Sequence, residues 1–120
     1  MISIDIQSSR MTGKTYRLCQ EIKKFMEDNP TRRIAVFSPY RTTNDIIISY
    51  LEKMGLPIGL VKNIDFYSSV SVNNMRFGRE YNGLFADNIE MIDKTVLTAF
   101  FMGRSNKTEI MMTTENVEDD

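Results

Sequence analysis

Apolar and polar residues alternate from the first turn of the chain: Ile2, Ile4 and Ile6 are interleaved with Ser3, Asp5 and Gln7. A period of two marks a strand with one apolar and one polar face. The polar stretch SSRMTGK follows over 8–14, and then Leu18, Ile22, Phe25 and Met26 recur at helical spacing until Asn29-Pro30. This spacing predicts a helix over about 14–28. Ile34, Ala35, Val36 and Phe37 make a short unbroken apolar run, the pattern of a strand covered on both faces, and Ser38-Pro39-Tyr40 reads as a loop. Capping residues over 42–45 open a second helix with its stripe on Ile46, Ile47, Tyr50, Leu51 and Met54, stopped by Gly55 and Pro57. The stretch 58–80 is the least regular; Phe66, Ser68, Val70 and Val72 fit a strand and Asn73-Asn74 a turn. Leu84-Phe85-Ala86 is a compact strand running into Asp87. Ile89, Ile92, Val96, Ala99 and Phe100 predict a helix ending at Gly103, and Ile110-Met111-Met112 a last strand before an acidic tail.

Strands and helices thus alternate along the whole chain, which predicts an α/β fold: a mainly parallel sheet of about five strands with right-handed crossovers, three-layered or partly two-layered. The first strand is unusual for such a sheet. A central strand is apolar on both faces, whereas Ser3, Asp5 and Gln7 make one face polar. One side of the sheet is therefore expected to be thinly covered there and to offer a partner surface. A helix burying Asp5 and Gln7 would contradict this.

At 120 residues the chain fits one domain, assigned to 1–114 with a tail over 115–120. Its 42% hydrophobic content supports a core and excludes a disordered chain. No apolar run approaches the roughly 18 residues of a membrane span, and MISIDIQ has neither the basic start nor the apolar stretch of a signal peptide, so a cytoplasmic protein without membrane contact is expected. The single Cys19 excludes an internal disulfide, and the absence of histidine excludes histidine acid–base chemistry and a zinc site. Any general base is a carboxylate, a lysine or a water chain. The net charge of −1 conceals an asymmetry: residues 1–41 carry eight Lys/Arg against four Asp/Glu, residues 64–120 five against ten. A basic amino-terminal third suits a phosphate-binding edge better than a broad nucleic-acid footprint.

Residues 8–15, Ser-Ser-Arg-Met-Thr-Gly-Lys-Thr, match the phosphate-loop pattern G-x-x-x-x-G-K-[ST] with Ser8 in place of the first glycine. Gly-Lys-Ser/Thr alone arises by chance in roughly one chain in twenty of this length, so its position carries the weight. It lies between a predicted strand and a predicted helix, where backbone N–H groups and the helix N-terminus converge on phosphate oxygens. In that reading Ser8, Ser9, Arg10, Met11, Thr12, Gly13, Lys14, Thr15 and Tyr16 surround the nucleotide, Lys14 supplies a mobile charge to the outer phosphates, and the Thr15 hydroxyl ligates magnesium. The competing reading is an ordinary polar loop with Thr15 near a cap. A second metal-associated carboxylate belongs at the end of a neighbouring strand, and Asp87 after Leu84-Phe85-Ala86 has that form, against a role as an N-cap. The residue after it is Asn88; the nearest acid able to act on water is Glu90.

The segments SSRMTGKT, RRIAVFSPYRTTND, YNGLFADNIE and TEIMMTTEN, in that order, resemble the ATPase core of P-loop NTPases, especially phage terminase large subunits and superfamily-two helicases. The resemblance spans about residues 2–114, with only the first block specific. It implies ATP or another NTP with Mg2+ as ligands and Lys14 and Glu90 as catalytic groups. It further implies a sensor of the γ-phosphate at Thr113 and Thr114, and nucleic-acid contact near Ser38, Tyr40 and Arg41. Departures are Ser8, Asn88 where the family often has glutamate, and the expected lack of an upstream base-reading segment, a second ATPase domain and a nuclease domain. Arg76, Arg79 and Arg104 are candidate arginine fingers in a homo-oligomer.

The leading expectation is a small Mg-NTP-binding protein with weak or partner-dependent hydrolysis. Its alternative is a module of the same fold that has lost turnover and binds a protein or nucleic-acid partner. A nucleoside kinase is the third reading, since MTGKT and the following basic helix also resemble thymidine kinases. The small, methionine-rich core fits a viral source.

Overall fold

The computed structural model describes residues 2–8, 13–68 and 80–117. The elements run β1 (Ile2–Ser8), α1 (Lys14–Asp28), β2 (Ile34–Phe37), α2 (Arg41–Lys53), α3 (Ile58–Val61), β3 (Ile64–Tyr67), β4 (Gly83–Ala86), a 3-10 turn (Ile89–Met91), α4 (Lys94–Met102) and β5 (Ile110–Asn116). The five strands form one sheet in the order β1-β5-β4-β2-β3, and every neighbouring pair is parallel. The fold is α/β, as the alternation of the sequence predicts.

Strand position accounts for strand composition. β2 and β4 lie inside the sheet and are buried at every residue, so each is apolar on both faces. On one side Ile34, Val36, Phe85, Met112 and Ile6 pack with Leu18, Cys19, Ile22 and Met26 of α1 and Ile47 and Leu51 of α2. On the other side Ala35, Phe37, Leu84 and Ala86 pack with Val96, Ala99 and Phe100 of α4. β1 is at the sheet's edge, and there the second layer stops. Asp5 and Gln7 are exposed, so the polar face of the first strand is open, as its sequence predicts.

Local chemistry sets the boundaries. Gly13 precedes α1 in the left-handed region, φ 78°, and at the far end the Asn29 side chain donates to the Phe25 carbonyl at 2.9 Å. Gly83 sits where strands crowd: a Cβ there would lie 2.9 Å from Ile34 Cγ2 and 3.2 Å from Ile110 Cγ2.

Three expectations need correction. The helix predicted from Ile89 is a 3-10 turn followed by α4, because Asp93 caps a new start and accepts from Thr95 N at 2.9 Å. The irregular stretch after Pro57 contains α3 and β3; Val70, Val72 and Asn73-Asn74 lie outside the described residues. The acidic tail begins too early at 115, since Glu115 and Asn116 belong to β5, opposite Gln7 and Ser8. Among the described residues no helix is long and apolar enough to cross a membrane.

Candidate functional site

The carboxyl ends of β1, β4 and β5 meet the start of α1. Because β4 and β5 run in register, Ala86 opposite Thr113, the next residue of each strand brings Asp87 beside Thr114 on the α1 side of the sheet. Asp87 is fully buried, and its N–H extends the ladder to the Phe37 carbonyl at 2.9 Å. One carboxylate oxygen accepts from Thr15 Oγ1 at 2.9 Å, and the other accepts from Thr114 Oγ1. Thr114 Oγ1 in turn accepts from Asn88 N at 3.0 Å. Residues far apart in the chain thus converge on one buried carboxylate.

Lys14, the first residue of α1, is 7% exposed. Its ammonium donates to Asn88 Oδ1 and lies 4.0 Å from Glu90 Oε1. Burial pulls its pKa below the usual lysine value, and the opposing charges of Glu90, Asp87 and Glu115 offset part of that fall. Asn88 takes the left-handed conformation, φ 53°, the single positive φ outside glycine among the described residues. This aims its side chain at Lys14. Asn116 completes the group: its N–H donates to Glu90 Oε1 at 3.2 Å and its side-chain amide to Asn88 Oδ1 at 3.3 Å. Gly13 has no side chain to cap α1, no acidic residue lies in the helix's first turn, and Ser8 Oγ is buried without a partner among the described residues. Among the described residues no side chain caps the positive end of the helix macrodipole, a position that favours an anion.

The chemistry of this set is defined. Thr15 and Asp87 are hard oxygen donors suited to Mg2+, which keeps waters and takes its remaining ligands from phosphate. Among the described residues no three acidic or thiol side chains gather into an all-protein metal cage. Lys14 and the start of α1 suit phosphate oxygens, and Glu90, held by a backbone N–H, suits a water. Cys19, one turn after Thr15, is buried beneath this group; burial and the Asp87 charge push its thiol up to about 12, so it is no nucleophile.

Of the residues singled out from sequence, Gly13, Lys14, Thr15, Asp87, Glu90 and Thr114 are brought together, and Ser8 ends the strand that leads to them. Ser9, Arg10, Met11 and Thr12 lie outside the described residues, as do Arg76 and Arg79. Thr113 is corrected: strand alternation turns it to the opposite face, where its hydroxyl donates to Asp5 Oδ1 at 2.5 Å. Ser38 is also corrected, being fully buried and bonded to Asn44 and the Tyr40 carbonyl rather than open to nucleic acid. Tyr40 and Arg41 are exposed at the start of α2. Tyr16 turns toward α2, edge-on to Tyr50 with ring centroids 5.8 Å apart. Arg104 follows α4 on the loop that leads to β5, beside Asn106 and near Phe101 at the end of the helix. Asn116 was missed because its segment reads as tail, although Met112, Thr114 and Asn116 continue one strand face. Comparison of the sequence with protein-family models and with curated proteins finds no match to either.

Proposed function

We propose that this chain is a small nucleotide-binding protein that holds a Mg-NTP at Lys14, Thr15 and Asp87 and hydrolyses it slowly or with a partner. One observation carries the reading: a Gly-Lys-Thr helix start meets a buried strand-end aspartate, Thr15 Oγ1 donating to Asp87 Oδ2 at 2.9 Å. A structural polar cluster has no need of a buried ammonium beside a helix start that, among the described residues, no side chain caps. In this reading Lys14 exchanges Asn88 for phosphate oxygens. Thr15 and Asp87 would hold magnesium, which supplies charge neutralisation, and Glu90 orients a water while Thr114 and Asn116 fix the two acids. Calorimetric titration with ATP and ADP, with and without magnesium, tests binding; phosphate release by the wild type and Lys14→Ala tests turnover. Mg-dependent binding with release lost in the variant is expected, and equal release rates sink the enzyme.

Asn88 favours a second reading. An amide, not an acid, follows Asp87 and occupies the lysine, which suits a module that binds nucleotide without turning it over. Affinity without phosphate release identifies this case.

A further inference from the structure

β1 is the outermost strand, and among the described residues no strand pairs with its outer side. Which backbone groups face outward follows from two bonds at its ends. Ile2 N donates to the Glu109 carbonyl and Val117 N to the Ser8 carbonyl, both at 2.9 Å. The even-numbered residues of β1 therefore turn toward β5, and alternation turns the N–H and C=O groups of Ser3, Asp5 and Gln7 to the outer edge. Sheets blunt such edges with charged side chains, lysine above all, with proline, bulges or very short strands. β1 has seven residues, ISIDIQS, with Asp5 as its one charge and neither lysine nor proline, and its full length is in register with β5. Ile2 is 62% exposed at one end, whereas Ile6 is 8% exposed under α1 at the other.

We propose that this edge joins two copies of the chain, β1 against β1 antiparallel, about a two-fold axis through Ile4. Isologous pairing must set outward groups opposite outward groups, so the axis passes through Ile4, Asp5 or Ile6. An axis at Asp5 sets two carboxylates directly opposite each other, which is destabilising. An axis at Ile6 sets Ile4 against Ser8 and leaves Ile2 beyond the pairing. The axis at Ile4 sets Ile4 against itself, Ser3 against Asp5, and the exposed Ile2 of each copy against Ile6 of the other, which is covered by that copy's α1. In that register apolar meets apolar on one face and the Ser3 hydroxyl meets the Asp5 carboxylate on the other, so the edge is complementary to a second copy of itself.

Sedimentation of the full chain over a range of concentrations reads the association: the mass is expected to rise from that of one chain to that of two. Asp5→Pro deletes an outward N–H and leaves the backbone bonds to β5 intact, losing only the side-chain bond from Thr113 that Asp5→Ala loses too, so it is expected to raise the dissociation constant at least about tenfold. Asp5→Ala is expected to retain the dimer. Register is read independently by mild oxidation. Ile4→Cys should form a covalent dimer, because unbonded antiparallel pairs hold their Cα atoms about 4.5 Å apart, within disulfide range; Asp5→Cys should not. Buried Cys19, its thiol pushed up to about 12, stays out of the exchange. A chain that is monomeric at every concentration, including one whose edge takes up a strand of a different protein, overturns the proposal. So does a dimer indifferent to Asp5→Pro, or cross-linking through Asp5→Cys in place of Ile4→Cys.

Discussion

Two polar clusters sit toward opposite ends of the same parallel sheet, each built on an aspartate with a cation and hydroxyls nearby. Toward the amino end, Asp65 of β3 accepts from Arg33 Nη1 at 2.9 Å on one oxygen and from the Tyr81 hydroxyl at 2.6 Å on the other. The Tyr81 and Tyr67 hydroxyls are also 2.6 Å apart, and burial together with the Asp65 and Tyr67 bonds pushes the Tyr81 pKa up. Its donors are a planar guanidinium and a tyrosine ring held in an aromatic chain, Tyr81 edge-on to Tyr67 and Tyr67 stacked on Phe37. At the carboxyl end, Asp87 is served by two rotatable hydroxyls, and the cation is a flexible lysine held by an amide. Asp87 and Lys14 are buried and Asp65 and Arg33 only half-buried, but saturation of the carboxylate does not separate the two. The difference lies in donors that can be exchanged and in a helix start beside them, at the end of an open parallel sheet where ligands bind.

The sharpest break of this contrast is Lys14→Met, which keeps the apolar stem and removes the charge. Nucleotide affinity is expected to fall roughly 100-fold, as for loss of a preorganised charged donor, with no drop in melting temperature, because burial of the ammonium costs the fold rather than supporting it. Calorimetric titration and thermal unfolding of the same variant read both. Tyr81→Phe should do the opposite. It removes a donor from Asp65 and a partner from Tyr67, at a cost of about 1–3 kcal/mol, or a melting point lower by roughly 4–12 °C, with affinity unchanged. If affinity also falls, the two ends are coupled and the contrast fails.

A smaller effect tests strain. Asn88 at φ 53° holds a conformation that costs an ordinary side chain about 1 kcal/mol or somewhat more. Asn88→Ala is expected to lose stability on that scale, and Asn88→Gly to recover the backbone share of it while still lacking the bond to Lys14. Equal melting temperatures for the two variants would show that the left-handed turn stores no strain.

How legible this was in the sequence depends on whether a residue's role is local. The strands and α1 follow from periods of two and 3.6, and Lys14, Thr15 and Asp87 from their places at element ends. The open face of β1 was legible from Asp5 and Gln7, since a polar face on a strand needs a reason. The edge position that supplies the reason is a matter of strand order, which no local pattern encodes. Thr113 and Thr114 are alike as residues and differ only in strand phase, fixed here by pairing with Asp5 and Asp87. Asn116 and the bond between Asn88 and Lys14 depend on β5 outlasting its apolar run and on a positive φ. The break at Asp93 was hidden because Ile89, Ile92 and Val96 keep helical spacing across it.

The smallest effect carries opposite signs in two measurements. Lys14 titrates below its ordinary 10.5, first because it is buried and despite Glu90, Asp87 and Glu115. Between the folded and unfolded pKa values the unfolded chain binds a proton that the folded chain has released, so stability rises with pH across that window; at neutral pH both states are protonated and the burial penalty is present in full. A bound polyphosphate does the reverse and holds the proton on Lys14, so affinity falls as pH rises through the folded pKa. Thermal unfolding without nucleotide and titration with Mg-ATP, each run from neutral pH up to about 10.5, should therefore diverge, and in Lys14→Met this opposed dependence should vanish from both. Affinity that stays level up to the ordinary lysine pKa would mean that the ammonium does not meet the phosphates, leaving Lys14 as much a structural group as Arg33 at the other end of the sheet.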